Sequence, residues 1–439
     1  MSEIIFWFFL FLFFITLYKN NFSKYYIVFD DILFFSIGFM YYWIIPYYYF
    51  FINTNIGELF IPITKYAYGI DEKKKIIFLI FCYSIFFLYV FISNCVKDRI
   101  KLKPVKFDRS IILYDIYTLP FVCLSLWYLY RLRSSFMMGY SIDYEIHERG
   151  PLTLLSLIIL SIALIKTNET KSFKNWQMAL YWFMALFVLT LGSRLQFVSS
   201  LITVLAMYYT NKKKLRRINI LFVAFLGILI FSSIGLLRQG NNININGIIF
   251  VFFAEPFFTS YSLFSFLQMN DLPWINIPYS LMVDFINLMP TMLLPNKAEL
   301  IKAAYISKYE FVSPLGAKNV FVSLMENFGI LGSLLFISIL AFFIGVLYKK
   351  LKCSYYIVIG VLCFSFFRNP FSNSIVKELV EISLFIPIFC YCANKFIKSS
   401  VMGSKNKGFI LIWGNYLPTK APRSENGTLY LGDNKATKC

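Results

Sequence analysis

The sequence predicts an all-α, polytopic membrane protein with about eleven transmembrane helices, in a range of about ten to twelve. Of its 439 residues, 59% are hydrophobic and only 15% are charged, and the mean hydropathy is +0.65. Soluble domains usually carry about a quarter charged residues. The apolar residues form separate blocks of membrane-spanning length, and each block is continuously apolar rather than alternating like a barrel strand. A soluble enzyme and a β-barrel are therefore excluded.

The apolar blocks place the spans in order along the chain. They lie at residues 4–18, 29–51, 76–94, 111–130, 151–165, 177–193, 195–210, 218–237, 319–347, 354–370 and 376–395. The first block lacks the basic start and small-residue cleavage site of a signal peptide, so it counts as a span. The chain thus divides into N-terminal membrane helices (1–237), one large external loop (238–318), C-terminal membrane helices (319–396) and a polar tail (397–439). We expect the tail to be disordered in the cytoplasm.

Lysine and arginine residues concentrate in every second connection between spans. These basic connections lie at residues 97–109, 166–174, 212–217 and 349–352. By the positive-inside rule they face the cytoplasm, so the N-terminus and the large loop are external. The three lysines Lys73, Lys74 and Lys75 run against the rule, because they fall on the outer side of the third span. Loop residues account for most of the net charge of +19, so that charge implies no nucleic-acid partner.

One segment of the large loop is itself strongly apolar. It runs from Ile248 to Leu267 and is interrupted by Glu255 and Pro256. A twelfth span at this position would upset the alternation of basic loops. We therefore expect a pair of half-helices, or an interfacial helix, broken at Glu255–Pro256.

Four arginines stand at or near the predicted outer ends of spans: Arg149, Arg194, Arg238 and Arg368. Arg194 lies at the apex of a hairpin whose two arms extend only about 22 and about 25 Å at about 1.5 Å per residue. Because the hydrocarbon core is about 30 Å thick, we expect Arg194 below the outer membrane surface, facing a polar cavity or an anionic partner. Guanidinium groups bind diphosphates bidentately. The alternative is that each arginine anchors its span among the headgroups.

Glu326 is the favoured general base. It lies among apolar residues in the outer half of the span 319–347, where a carboxylate is costly unless paired and becomes a better proton acceptor. The alternatives for this role are Glu145, His147, Glu255, Glu378 and Glu381. Any of these residues can instead form an ion pair with an arginine. Because His147 is the only histidine, we expect neither a metal site nor a cofactor.

These features together resemble the Wzy-type polymerases of oligosaccharide repeat units, which build O-antigens and capsules. The resemblance rests on Gly192-Ser193-Arg194 between adjoining spans, on Arg149-Gly150, on the large loop before the last three spans, and on Asn319 with the segment Glu326-Asn327-Phe328-Gly329-Ile330-Leu331-Gly332. It covers most of residues 4–396, as architecture more than as motif.

The resemblance implies a metal-independent glycosyltransferase of GT-C-like fold in the bacterial inner membrane, with the large loop in the periplasm. Its substrate would be an undecaprenyl-diphosphate-linked oligosaccharide, and its partners would be membrane lipids and a protein that regulates chain length. Arg194 and Glu326 would be catalytic. Substrate binding would fall to Arg149, Arg238, Arg368 and Glu255, with sugars stacking on Tyr261, Trp274 and Tyr279.

Two other functions share parts of this layout. An O-antigen ligase resembles the polymerases, but its family places a functional histidine in the large external loop, and residues 238–318 contain no histidine. A flippase of lipid-linked oligosaccharides would show two comparable halves and no dominant loop. Both expectations favour the polymerase.

Overall fold

The computed structural model describes residues 1–22, 27–52, 61–105, 111–133, 146–170, 175–190, 194–212, 244–289, 293–304, 309–313 and 317–404, with five single positions between 227 and 236. Over these residues the chain is mostly helical, and its one contact of β type is an isolated bridge between Phe22 and Ile27. Contacts between Cα atoms group residues 1–392 into one compact unit. Residues 393–439 form a second unit, in which the described part, 393–404, is helical.

The described helices follow one another along the chain with short connections. They are α1 Ser2–Asn21, α2 Asp31–Ile52, α3 Ile61–Tyr68, α4 Glu72–Arg99, α5 Ile111–Arg131, α6 Ile146–Thr170, α7 Trp176–Thr190, α8 Arg194–Lys212, α9 Ile245–Met269, α10 Tyr279–Leu288, α11 Lys297–Ala304, α12 Val320–Lys350, α13 352–368, a π-helix Ser372–Phe385 and α14 Ile386–Ser404. Helices α2 and α13 also contain π-helical turns.

Five of the described helices are long and apolar enough to cross a membrane: α1, α2, α4, α9 and α12. Shorter apolar stretches of α6, α7 and α8 accompany them. The predicted class, an all-α chain with several membrane-length helices, is therefore confirmed. The number of eleven spans and the GT-C-like fold stay predictions. The predicted span 218–237 lies outside the described residues except for the five single positions.

Helix α9 runs unbroken through Glu255 and Pro256, so the predicted break at this point is wrong. A proline inside a helix deprives the carbonyl four residues earlier of its N–H donor. Here that carbonyl belongs to Phe252, and the hydroxyl of Tyr41 on α2 donates a hydrogen bond to it. The Ser260 hydroxyl donates to the Pro256 carbonyl at 2.7 Å. A donor from a neighbouring helix thus compensates the proline, and α9 reaches the length of a span.

Contacts at the two ends of α4 show which segments lie together. The Met1 amino group is 3.6 Å from the Glu72 carboxylate, so the N-terminus shares one end with the three lysines that follow Glu72. At the other end, the Val105 N–H donates to the Lys350 carbonyl at 2.9 Å. The basic segments after α4 and α12 therefore lie together, as the charge pattern requires. The three lysines are a real exception to that pattern, and the cytoplasmic face itself stays a prediction.

A buried polar network ties α2, α4 and α13 together near the basic end. Asp31, the first residue of α2, is fully buried. Its carboxylate accepts hydrogen bonds from the Tyr355 hydroxyl at 2.7 Å, the Tyr89 hydroxyl at 2.9 Å and the Ser93 hydroxyl at 2.7 Å. The Lys97 ammonium lies 2.5 Å from the same group. Every partner that a buried carboxylate needs is present, so the network joins the helices.

Aromatic side chains fill the space between these helices. Phe35 of α2 stacks on Tyr89 of α4 with ring centroids 4.0 Å apart. Farther along the same two helices, Trp43 and Phe78 meet edge to face at 5.1 Å, and Phe321 of α12 packs 5.6 Å from Trp43. Edge-to-face and stacked pairs at such distances add to the stabilisation from burial alone. This aromatic core fixes where α12 begins, which positions the site.

Candidate functional site

Helix α12 begins inside the bundle, next to the middle of α2. Its N-cap residue, Asn319, is fully buried, and the carboxamide oxygen accepts from the Phe321 N–H at 3.1 Å. The carboxamide nitrogen donates to the Tyr42 carbonyl at 3.3 Å, while the Asn319 N–H donates to the Ser262 hydroxyl at 3.0 Å. Tyr42 lies halfway along the helix Asp31–Ile52. The residues before α12 are therefore held level with the midpoint of α2.

Helix α12 is interrupted at Gly329, where φ is +68° and the backbone leaves the helical conformation. The loop between α9 and α10 pairs the backbone groups that the break exposes. The N–H groups of the two residues after Gly329 donate to the carbonyls of Pro273 and Trp274 at 2.8 and 2.9 Å, and the Asn276 N–H donates to the Phe328 carbonyl at 3.0 Å. A Cβ at position 329 would lie 2.7 Å from the Trp274 carbonyl carbon. Glycine is therefore required by both conformation and space.

Two ion pairs lie side by side at the start of α12. The Lys318 ammonium pairs with the Glu326 carboxylate, and the Arg368 guanidinium at the end of α13 pairs with Glu255 of α9. The Lys318 N–H donates to the Arg368 carbonyl at 3.0 Å, which joins the two pairs through the backbone. The side chains of Lys318 and Glu326 are 15% and 14% exposed, and those of Arg368 and Glu255 are 30% and 37% exposed. All four groups thus keep some access from outside the bundle.

A third acidic group, Asp284 on α10, faces these pairs. Partial burial raises its pKa to about 6, Lys318 and Lys377 oppose this rise electrostatically, and Glu326 adds to it. A carboxyl group with such a pKa exchanges its proton near neutral pH. Asp284 is therefore suited to accept a proton from a substrate hydroxyl.

The orientation of α10 is fixed by Asn327, the residue after Glu326. Its carboxamide oxygen accepts from the Ser280 hydroxyl at 2.9 Å and from the Leu281 N–H at 3.0 Å. Its nitrogen donates to the Ser323 carbonyl at 2.8 Å within α12. The start of α10 is thereby tied to α12 one turn from Asp284.

Exposed aromatic rings border the charged cluster. Trp274 and Tyr279, in the loop that crosses the break in α12, are 60% and 57% exposed. The Lys318 ammonium lies 5.0 Å from the centre of the Phe311 ring. Exposed indole and phenol rings present flat apolar faces with a polar edge, as binding surfaces for sugars require.

The structure brings together three of the residues chosen from the sequence: Glu255, Glu326 and Arg368. Arg194 is the first residue of α8, and Arg149 lies in the first turn of α6, which begins at Ile146 rather than at 151. The side chains of both arginines lie outside the described residues, as does Arg238 altogether. Glu145 and the His147 side chain are also outside them, whereas Glu378 and Glu381 lie in the π-helix Ser372–Phe385.

Sequence reasoning missed Asp284 and Lys318. Lys318 directly precedes the cap of α12, and the spacing of eight residues to Glu326 gives no helical signal for the pair. Asp284 is the one acidic residue of the short apolar helix α10, and a lone carboxylate in such a helix was the signal that could have found it. Glu326 was found because it stands inside a strongly apolar segment.

The described cluster contains three cations, Lys318, Arg368 and Lys377, and three carboxyl groups, Glu255, Asp284 and Glu326. Such a group can hold an anion, and its most basic free carboxyl group can take up a proton. Comparisons with protein-family models, with curated proteins and with solved structures each find no match. The interpretation of the site therefore rests on its own chemistry and on the resemblance described above.

Proposed function

We propose that this protein polymerises undecaprenyl-diphosphate-linked oligosaccharide repeat units into a surface polysaccharide, O-antigen or capsule, at the periplasmic face of the bacterial inner membrane. The observation that carries the proposal is the cluster around Lys318, Arg368 and Asp284, which lies level with the midpoint of α2 and is bordered by exposed aromatic rings. A lipid-linked diphosphate is itself anchored in the membrane, so its reaction centre needs a charged site that is recessed among apolar helices.

In this reaction a hydroxyl oxygen on the incoming repeat unit bonds to the anomeric carbon of the growing glycan. The bond between that carbon and the diphosphate oxygen breaks, and its electron pair stays on the departing lipid diphosphate. The hydroxyl proton passes to a carboxylate, for which we assign Asp284, because Glu326 is held by Lys318. Glu326 is the second candidate for the base. The step needs no nucleotide sugar, oxidant or metal ion.

Charge on the leaving diphosphate is neutralised by fixed cations in this proposal. Lys318 and Arg368 contact carboxylates in the structure, so binding of the diphosphate exchanges these partners. The described charges of the cluster sum to zero, and a diphosphate therefore needs further cations. We assign Arg149, Arg194 and Arg238 to this role. Their side chains lie outside the described residues, and the assignment rests on the sequence.

Deletion of the gene in the producing bacterium tests the proposal directly. Loss of a polymerase leaves a single repeat unit on the lipid A core. Loss of a ligase instead leaves unattached polymer, and loss of a flippase leaves lipid-linked units on the cytoplasmic side. Either of the latter two phenotypes would replace the proposed function.

Complementation with Arg194→Ala tests the sequence-based part of the assignment. Because Arg194 is proposed to hold the diphosphate, the variant should express and fold like the wild type but make only single repeat units. Arg133→Ala is the matched control, since Arg133 is an exposed arginine at the end of α5 and should leave polymer unchanged. Normal chain lengths in Arg194→Ala, measured on gels of the extracted glycan, would remove Arg194 from the site.

A further inference from the structure

A small cavity lies apart from the charged cluster, between α6, α8, α13 and the π-helix Ser372–Phe385. Its volume is about 20 Å³. A cavity needs about 10–15 Å³ of this kind of volume to hold one water-sized sphere, so there is room for a single small ion or molecule. Aliphatic side chains form most of its wall, and the polar lining residues are Ser199, Ser200, Thr203 and Glu378.

Two side-chain oxygens at this cavity have no hydrogen-bond partner among the described residues. One is Oε2 of Glu378, a residue only 7% exposed, and the other is the Ser199 hydroxyl. The Thr203 hydroxyl donates to the Ser199 carbonyl at 3.0 Å, which leaves its own lone pairs available. On the opposite wall, a Cβ at Gly360 would come within 2.2 Å of the Thr203 hydroxyl oxygen, so α8 and α13 approach closely here.

A buried carboxylate with an unpaired oxygen is unfavourable by several kcal/mol unless a positive charge joins it. The charged neighbour that acts on Glu378 within the described part of the chain is Lys377, the adjacent residue, whose own side chain is exposed. The Ser365 hydroxyl serves the carboxyl group from the α13 side. α6 and α8 contribute aliphatic and hydroxyl groups to this wall and no described acidic or basic side chain. The neutralising charge must therefore come from outside the protein.

We propose that Glu378, Ser199 and Thr203 form a site for one monovalent cation, a proton or a sodium ion. One carboxylate balances one positive charge, whereas a divalent ion would leave an excess charge among aliphatic side chains. Carboxylate and hydroxyl oxygens are hard donors that suit a small hard cation. The site is separate from the polymerase proposal and stands or falls independently of it.

The backbone around Glu378 supports a special role for this position. Glu378 lies in a π-helix of 14 residues, and the Ser383 hydroxyl, five residues on, donates to the Glu378 carbonyl at 2.8 Å. Such widened helical turns are rare and occur frequently at functional sites. The wider turn sets the Glu378 side chain against α8.

Infrared spectroscopy of the purified full-length protein in lipid nanodiscs tests the site. A bound proton gives the carbonyl stretch of a neutral carboxylic acid in choline chloride, which Glu378→Gln should remove and the matched control Glu381→Gln should keep. A bound sodium ion gives a band that disappears, or a melting temperature that rises, on replacing choline with sodium. Labelling the glutamate carboxyl carbons shifts the band in the wild type, so the test does not depend on a variant that folds.

The two sources of charge are separated by hydroxyl variants. Ser199→Ala and Thr203→Val should each weaken sodium binding about tenfold if they remove an ion ligand, and they should leave a proton on Glu378 in place. If the wild type shows neither a carboxylic acid band that responds to Glu378→Gln nor any sodium effect, Glu378 is ionised without a cation and the proposal is wrong.

Discussion

Two groups of charged residues in this protein are built in opposite ways. Around Asp31, a fully buried carboxylate is surrounded by three hydroxyl groups and an ammonium group, all directed at it. Around Lys318, the ion pairs are partly exposed and share their surroundings with a third carboxyl group, Asp284. The first group has no remaining hydrogen-bonding capacity to offer, whereas the second can exchange one partner for another.

This difference separates structural from functional use of charge within one helical bundle. Removing one member of a saturated buried network leaves the others unpaired, so its effect falls on stability. Removing one member of a partly exposed pair costs little stability, because water replaces the lost partner. The comparison therefore predicts that variants near Asp31 fail to fold and that variants near Lys318 fold but lose activity.

The largest effect is expected for Asp31→Ala. The substitution leaves a buried ammonium group and three hydroxyl groups without their shared acceptor, which should lower the free energy of unfolding by about 3–5 kcal/mol. Thermal unfolding in detergent measures this, and Asp271→Ala is the control, because the Asp271 side chain is fully exposed although it pairs with Lys74. An unchanged melting temperature for Asp31→Ala would break the comparison.

Asp284→Asn should lower the rate of polymerisation by about 10²- to 10⁴-fold, the contribution of a general base. Because the base must be ionised, the wild-type rate should rise with pH as Asp284 passes through its pKa of about 6. Glu299→Gln, on the exposed face of α11, is the control. A wild-type profile without this rise, or an active Asp284→Asn, would transfer the role to Glu326, which Glu326→Gln then tests.

The same group makes a prediction for stability. The pKa of Asp284 is raised from 3.8 in the unfolded chain to about 6, so the folded state holds a proton that the unfolded chain releases. Its contribution therefore favours folding at low pH and is lost as the pH rises from about 4 through about 6. Asp284→Asn should remove this part of the pH dependence, as measured by denaturant titration at several pH values.

Lys318→Met should reduce polymer formation about a hundredfold, the effect of removing one fixed charge that stabilises a developing anion. Its melting temperature should stay close to that of the wild type, in contrast to Asp31→Ala. Lys65→Ala, an exposed lysine on α3, provides the control. A large loss of stability in Lys318→Met would show that the pair with Glu326 is structural, like the Asp31 network.

Gly329→Ala is expected to have the smallest effect of the series. Alanine at φ +68°, with its Cβ against the Trp274 carbonyl, should destabilise the protein by about 1–3 kcal/mol and displace the loop beside the site. Gly332→Ala is the matched control in the same helix, because Gly332 has ordinary helical geometry and space for most of a methyl group. Equal melting temperatures for the two variants would contradict the assigned strain.

The sequence was sufficient for the fold class and for most helix positions, since both depend on local apolarity. It was insufficient where a distant partner decides the local structure. The continuity of α9 depends on Tyr41, the break in α12 depends on the loop that crosses Gly329, and Arg368 finds Glu255 across 113 positions of chain. Asp284 owes its chemistry to charges on other helices. None of these relations leaves a periodic pattern in the sequence.

The hydrogen bond from Tyr41 to the carbonyl opposite Pro256 has a consequence for how this protein can change during evolution. A proline alone would leave an acceptor without a donor, and a tyrosine alone would leave a hydroxyl without an acceptor. Sequences that diverge from this one should therefore retain both residues or lose both together. The two positions should covary although 214 residues lie between them.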